Sequence, residues 1–236
     1  MTDITDAKIL IIATDGFEKV ELEVPRDKLR AAGATVHVAS PDGEAIKSWD
    51  ETDWGPKADV DLAISDAKMD DYHAIVLPGG QINPDVLRTK PEAVQLVKDF
   101  TTAGKIVAAI CHGPWVLIEA EVVRGREMTS YPSLRTDLRN AGAKVVDREV
   151  VTDQGIITSR NPDDLDAFVA KIIEEVREGR HERDAACRIF CGAVAGRRPV
   201  SQSGARLPLC PCLGQLHCQK HDNPANVTEL PCADGY

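Results

Sequence analysis

The chain has 236 residues, of which 28 are basic and 38 acidic, so its formal net charge is −10. This length corresponds to one or two domains with a buried core, and no apolar run approaches the ~20 residues that a membrane-spanning helix needs. The acidic balance argues against a broad nucleic-acid surface, which requires clustered Lys and Arg. We therefore expect the partner to be a small molecule, a peptide or another protein.

The composition changes sharply at Arg180. Residues 1–180 hold 22 basic and 33 acidic side chains with one cysteine, Cys111, whereas residues 181–236 hold 6 basic and 5 acidic side chains with six cysteines. A single cysteine in a long segment is typical of a reducing compartment. The opening residues also lack the basic and then apolar pattern of a secretory signal. We expect a cytoplasmic α/β domain over 1–180 and a separate Cys-rich extension after it.

Three interpretations of this extension are open. A zinc site has suitable residue types, but the C-x-C-x4-H-C-x2-H spacing matches no familiar finger; the residues are Cys210, Cys212, His217, Cys218 and His221. A disulfide-stapled module conflicts with the reducing character of the body. The content of Gly, Pro and Ser without periodicity favours a poorly ordered extension, and we leave it out of the functional reasoning.

Apolar and amphipathic segments alternate along residues 1–180. Short β-branched runs predict buried strands, and segments with helical spacing that begin at Pro or Asn or end at Gly predict helices. In chain order we predict a strand at 8–13, a helix at 18–32, a strand at 34–40, an excursion off the main sheet at 44–59, a strand at 73–78, a helix at 91–103, a strand at 105–110, helices at 114–121 and 133–141, strands at 143–146, 149–151 and 155–159, and a helix at 162–178. This alternation predicts a three-layer α/β sandwich around a mostly parallel sheet.

The candidate nucleophile is Cys111, because ligands of such sheets gather outside the carboxyl ends of the strands. Cys111 follows a predicted strand and precedes His112, Gly113 and Pro114, a strand-to-helix turn that resembles a nucleophile elbow. The start of the following helix favours a thiolate, so we expect an exposed Cys111 that is ionised near neutral pH. His112 is either the base or a bystander. A buried, inert cysteine is the alternative.

Two other strand ends carry candidate residues. Gly79 and Gly80 offer backbone N–H groups to a developing oxyanion, although tight turns use the same residues. Glu18 and Glu21 are three residues apart in the first turn of a predicted helix, where carboxylates also complement the helix dipole. A carboxylate beside a thiolate is unfavourable, so we expect Glu21 near Cys111 only as a protonated acid that donates a hydrogen bond.

Three segments of the sequence resemble motifs of one family. They are DGFEKVE at 15–21, VLPGG at 76–80 and AICHGP at 109–114. In this order and at these separations they are similar to the ThiJ/PfpI superfamily, and within it to the PfpI-type intracellular proteases, over residues 7–178. The resemblance implies a flavodoxin-like, class I glutamine amidotransferase-like sandwich that uses no organic cofactor and no metal.

The resemblance also implies roles for individual residues. Cys111 would be the nucleophile with Glu21 against it, His112 matches the histidine beside the nucleophile, and Tyr131 matches a tyrosine that lines the pocket. In PfpI-type proteins an acid of a neighbouring subunit orients the histidine. Asp85 is the nearest counterpart here, although the family has the longer acid Glu and the segment 81–85 is one residue longer than the family pattern. A homo-oligomer, dimeric or larger, with its site at the subunit interface is therefore implied.

The family's activities leave two functions open. Its members are described as peptidases, as deglycases or glyoxalases acting on methylglyoxal and its adducts, and as stress-response chaperones. The enzymatic versions share thiolate attack on an electrophilic carbon. We therefore expect a stress-response protein with a cysteine-dependent hydrolase site. The alternative is a non-catalytic oxidative-stress sensor or holdase chaperone with an oxidisable Cys111.

Overall fold

The computed structural model describes residues 2–179, which form a mostly parallel sheet with helices on both faces. The strands are β1 (Lys8–Ile12), β2 (Phe17–Glu18), β3 (Thr35–Ser40), β4 (Ile46–Asp50), β5 (Asp53–Ala58), β6 (Leu62–Ala63), β7 (Ala74–Leu77), β8 (Ile106–Ile110), β9 (Glu127–Met128), β10 (Lys144–Val145), β11 (Val150–Asp153) and β12 (Ile156–Ser159). The helices are α1 (Lys19–Ala31), α2 (Ile82–Leu87), α3 (Pro91–Thr102), α4 (Pro114–Glu119), α5 (Arg135–Asn140) and α6 (Leu165–Glu178). The Cys-rich extension and its candidate zinc residues lie outside the described residues.

The central sheet has the order β11-β12-β8-β7-β1-β3-β6, and every neighbouring pair is parallel except β11 with β12. All residues of β7 and β8 are buried, because helices cover both faces of the sheet. Leu22, Leu29 and Phe168 pack on one face, and Val97 and Phe100 pack on the other. The three-layer α/β prediction is confirmed, and the carboxyl ends of the parallel strands meet at one edge.

The excursion predicted at 44–59 is a separate small sheet in which β4 pairs with β2 and with β5. Its hairpin turn places Glu51 at φ +56°. The strands β2, β6 and β9 were not predicted, since two-residue strands leave no periodic pattern to detect. None of the helices within residues 2–179 combines the length and the apolarity of a membrane span.

The first residues of α1 and of the closing helix can be compared with the prediction. Glu18 is the N-cap of α1, with extended backbone, rather than a residue of its first turn. At the closing helix, the turn Pro162–Asp164 is a 3-10 turn, and the Asn161 side chain accepts the Asp163 N–H at 3.0 Å. The expected Asn161 cap is confirmed.

The short helix α2 carries a buried polar clamp, Asn83. The Asn83 Oδ1 accepts the Thr14 N–H at 2.8 Å, and its Nδ2 donates to the carbonyl oxygens of Pro78 and Gly79 at 2.9 and 3.2 Å. Asn83 is fully buried, so these bonds tie together the loops that follow β1 and β7. Both loops carry candidate site residues.

Replacing Asn83 with Leu should lower the free energy of unfolding by about 2 kcal/mol or more, because the Thr14 N–H and the Pro78 carbonyl lose their partner and each buried unsatisfied group costs ~1–3 kcal/mol. Urea unfolding measures this difference. Gln95→Leu is the matched control, since Gln95 is exposed on α3 and surface substitutions stay within about 0.5 kcal/mol. Equal values for the two variants would contradict the clamp.

Candidate active site

Cys111 occupies a strained turn at the end of β8. Its φ is +61°, in the left-handed region that residues other than Gly rarely adopt and that clusters at functional sites. The Cys111 N–H donates to the Ser159 carbonyl at 3.1 Å, and the Gly113 N–H donates to the Ile110 carbonyl at 2.8 Å. The chain then enters α4 at Pro114. The structure thus has the strand-turn-helix form expected for a nucleophile elbow.

Gly113 lets the turn after Cys111 pack closely against β7. A Cβ at Gly113 would lie 2.6 Å from the Leu77 carbonyl oxygen and 2.9 Å from that of Ile110, closer than real Cβ contacts allow. Gly113 is therefore required for the close approach of the turn to β7. Gly113 is not among the residues that line the cavity described below.

The environment of the Cys111 thiol differs from the expectation. Only 6% of Cys111 is exposed. Burial, followed by the negative charge of Glu21, raises the pKa of the Cys111 thiol, while the N–H groups of Gly80 and His112 act in the opposite direction. The expectation of an exposed thiol that ionises easily is therefore wrong, because loops from other strands close over the sulfur. Attack by this sulfur needs a base that removes its proton.

Glu21 lies against Cys111 from the first turn of α1. It is fully buried, its Oε2 accepts the Gly79 N–H at 2.9 Å, and its carboxyl group interacts with the Cys111 thiol. Burial, and then repulsion from Glu18, raises the pKa of Glu21 to about 8. Glu21 is therefore largely protonated at pH 7, which avoids the unfavourable pairing of two anions.

The two glycines after β7 have different tasks. The Gly79 N–H is engaged by Glu21, and a Cβ at Gly79 would press on Glu21 Oε2 and lie 2.6 Å from Cys111 Cβ. Gly80 has φ +81°, and its N–H faces the sulfur. The expected oxyanion role of the Gly79 amide is thereby corrected, and Gly80 with the His112 amide remain as donors.

His112 faces the sulfur, and its role as the base stays a prediction. Its Nδ1 lies 3.1 Å from Cys111 Sγ, and its ring stacks on Tyr131 with 4.7 Å between centroids. Only 4% of His112 is exposed, and burial lowers the pKa of the imidazole. The ring is therefore neutral at pH 7, with one nitrogen available to accept a proton.

The other ring nitrogen meets a residue that the sequence analysis missed. Ser133 Oγ lies 3.1 Å from His112 Nε2. Asp85, the expected orienting acid, is instead exposed on α2 and accepts hydrogen bonds from Arg88 at 3.0 and 2.5 Å. Its action from a neighbouring subunit stays a prediction. The sequence signal for Ser133 is weak, since only its place two residues after Tyr131 points to it.

Cys111 and His112 open into a surface cavity of about 380 Å³. Its walls include Trp49 and Tyr131 together with three carboxyl groups, those of Glu18, Glu21 and Glu51. Burial, with the charges of Asp50 and Glu51 as a lesser cause, raises the pKa of Glu18. Among the described residues, no Lys or Arg lines this cavity, and no group of three His, Cys, Asp or Glu residues is placed to hold a metal.

Comparison with known proteins agrees with the motifs and the fold. The DJ-1/PfpI family pattern matches residues 7–175. The chain belongs to the DJ-1/PfpI family. This membership and the sheet topology together confirm the resemblance and the sandwich fold expected from the sequence.

The similarity extends over nearly the whole length of the named relatives. Deglycase PfpI of Pyrococcus furiosus is 40% identical over 167 residues, which are 71% of this chain and 98% of that protein. YraA of Bacillus subtilis, named as a candidate cysteine protease, is 43% identical over 161 residues, 68% and 93% of the two chains. The crystal structure of DJ-1beta from Drosophila melanogaster superposes with a TM-score of 0.67 at 33% identity, covering 73% of this chain and 94% of that one.

The raised pKa of Glu21 predicts a pH-dependent stability. The pKa is about 8 in the folded chain against an ordinary 4.5, so between these values the folded state binds more protons and stability falls as pH rises. Gln cannot ionise. Glu21→Gln should therefore gain stability over the unmodified protein between about pH 5 and pH 8, by a few kcal/mol at the upper end.

Urea unfolding of both proteins across this pH range measures the difference. Glu119→Gln makes the same substitution at an exposed position and serves as the matched control. A constant difference between Glu21→Gln and the unmodified protein at all pH values would show that Glu21 is ionised in the folded state.

Proposed function

We propose that this protein is a cysteine-dependent hydrolase that acts on carbonyl carbons, either of peptide bonds or of carbonyl adducts on amines. The observation that carries the proposal is the placement of Cys111 Sγ 3.1 Å from His112 Nδ1 at the base of an open cavity. A nucleophile within hydrogen-bond reach of a base is the arrangement that covalent catalysis requires. The names of the two relatives, a deglycase and a candidate cysteine protease, support the same chemistry.

For an acyl substrate, the first step forms a bond between Cys111 Sγ and the carbonyl carbon. The thiol proton moves to His112 Nδ1, and the carbonyl π electrons move onto its oxygen. That oxyanion accepts hydrogen bonds from the amides of Gly80 and His112, which the structure aims at the sulfur. Such donors typically contribute a hundredfold to a thousandfold in rate.

The second half of the cycle releases both products. The oxyanion re-forms its double bond and expels the amine, which takes the proton from His112 Nδ1. Water then attacks the thioester carbon and passes a proton to the same nitrogen, and the departing sulfur recovers it. Glu21 stays neutral throughout and donates to the sulfur when it carries negative charge, which lowers the energy of the departing thiolate.

The burial of the sulfur favours catalysis over oxidant sensing. Sensor cysteines are exposed and ionise easily, whereas Cys111 is 6% exposed and its thiol pKa is raised. His112 supplies a base for proton removal during attack, a feature that a sensor does not need. The sensor or holdase function is therefore the second candidate.

A homo-oligomer is part of the proposal. Ile82 and Tyr131 are 41% and 38% exposed and both lie at the cavity, close to the helix that carries Asp85. A second copy that covers these side chains would enclose the site and remove apolar surface from water. On this reasoning, the chain assembles as a dimer or a larger oligomer.

Cys111→Ser should lower kcat/KM by about a thousandfold or more, because the hydroxyl is a far poorer nucleophile at this base. The assays use a fluorogenic peptide and a methylglyoxal adduct of an amino acid. Cys187→Ser in the extension is the matched control and should leave both rates unchanged. Full activity of Cys111→Ser on both substrates would refute the hydrolase mechanism.

Glu51 at the cavity wall, with no Lys or Arg among the described lining residues, predicts a preference for neutral or cationic substrates over anionic ones. Glu51→Lys should raise kcat/KM for a substrate with an acidic group beside the reacting carbonyl by about twofold to fivefold, relative to its neutral analogue. Asp53→Lys is the matched control, since Asp53 is exposed nearby but does not line the cavity. Equal changes in both variants would assign the effect to overall charge.

A further inference from the structure

We propose that Ser133 is the positioning residue of this site, holding His112 within its own chain so that Nδ1 faces the Cys111 sulfur. The proposal rests on the hydrolase function above and deepens it. It places a serine hydroxyl of the same chain at the ring nitrogen that the sequence analysis expects Asp85 of a neighbouring subunit to orient.

Among the described residues, two aromatic rings and two polar atoms contact the imidazole ring of His112. Tyr131 stacks on the ring with an interplanar angle of 28°, and Trp115 meets it edge to face at 5.2 Å. These aromatic contacts restrict the ring plane, but they do not distinguish its two nitrogens. That distinction comes from the polar partners, which are Cys111 Sγ at Nδ1 and Ser133 Oγ at Nε2, both at 3.1 Å.

The protonation states select one tautomer. Burial lowers the pKa of His112 and raises that of Cys111, so a neutral ring faces a protonated thiol at pH 7. If Nε2 carries the ring hydrogen, it donates to Ser133 Oγ, and the bare Nδ1 accepts the Sγ–H. The other tautomer would turn an N–H toward an S–H. A partner that accepts at Nε2 therefore prepares Nδ1 to act as the base.

Ser133 sits on the element that can hold this contact. It belongs to the 3-10 turn Pro132–Leu134, which begins directly after Tyr131. The Tyr131 N–H donates to the Cys111 carbonyl at 3.0 Å, and the Leu134 N–H donates to the Tyr131 carbonyl at 3.0 Å. The turn is thus anchored on the nucleophile residue itself, so Ser133 and Cys111 keep a constant separation with His112 between them.

A hydroxyl differs from a carboxylate in its effect on the histidine. A carboxylate stabilises the imidazolium ion and raises the pKa of the ring, whereas a neutral hydroxyl only orients it. The acidic limb of the activity profile should therefore shift to higher pH in Ser133→Asp, where a carboxylate faces Nε2. The other titratable or charged groups near His112 are the same in all these variants. Cys111, Glu18, Glu21, Glu51 and Tyr131 line the same cavity. Asp137 and Arg88 contact Trp115, whose ring packs on His112, and Arg88 pairs with Asp85.

The test compares Ser133→Ala, Ser133→Thr and Ser133→Asp in the full chain. We measure kcat/KM against pH, and we read the tautomer of His112 from its ring 15N NMR shifts, assigned by their loss in His112→Gln. Ser133→Ala should lower kcat/KM about tenfold and mix the two tautomers. Ser133→Thr should restore both, and Ser133→Asp should move the acidic limb upward. Thr136→Ala, an exposed position on α5, is the matched control.

Two results would overturn the proposal. The first is a Ser133→Ala variant with the unmodified tautomer and an unchanged pH profile. The second is a tautomer change in Asp85→Asn but not in Ser133→Ala, which would return the orienting role to a neighbouring subunit. The NMR readout does not depend on turnover. A tautomer change in Ser133→Ala without any hydrolase activity in the unmodified protein would therefore refute the proposed function and leave the positioning role standing.

Discussion

The site depends on two acids buried against each other, the carboxyl group of Glu21 and the thiol of Cys111. Burial, and after it the repulsion between neighbouring negative charges, raises the pKa values of both groups, that of Glu21 to about 8. The pair therefore holds protons at neutral pH that exposed groups would release in part or in full. Gly79 makes this packing possible, because any Cβ there would collide with both residues.

The other features of the site follow from this buried pair. A thiol that keeps its proton needs a neutral base within reach, and burial keeps His112 neutral at 3.1 Å. A neutral base needs a defined tautomer, and Ser133 contacts the nitrogen that faces away from the sulfur. The sheet makes the arrangement possible, since adjacent parallel strands bring the loops after β1, β7 and β8 to one edge.

Sequence patterns predicted the fold almost completely where segments were long and regular. Buried runs such as Ile106–Ile110 and the Asn161 cap carry local signals, which depend only on neighbouring residues. The strand β2 and the helix α2 were missed, because their positions depend on pairing and on the Asn83 hydrogen bonds to distant loops. The same holds for Gly79, whose N–H found a side-chain partner 58 residues away.

By itself, the sequence determined the α/β sandwich, the turn at Cys111 and the family to which the chain belongs, because periodicity, turn residues and motif order are local properties. Only the tertiary structure decided that the sulfur is buried, that Glu21 keeps its proton, that His112 turns toward Cys111 and that Ser133 meets its other nitrogen. Each of these depends on which distant groups surround a side chain, and pKa values and hydrogen bonds respond to those surroundings rather than to sequence neighbours.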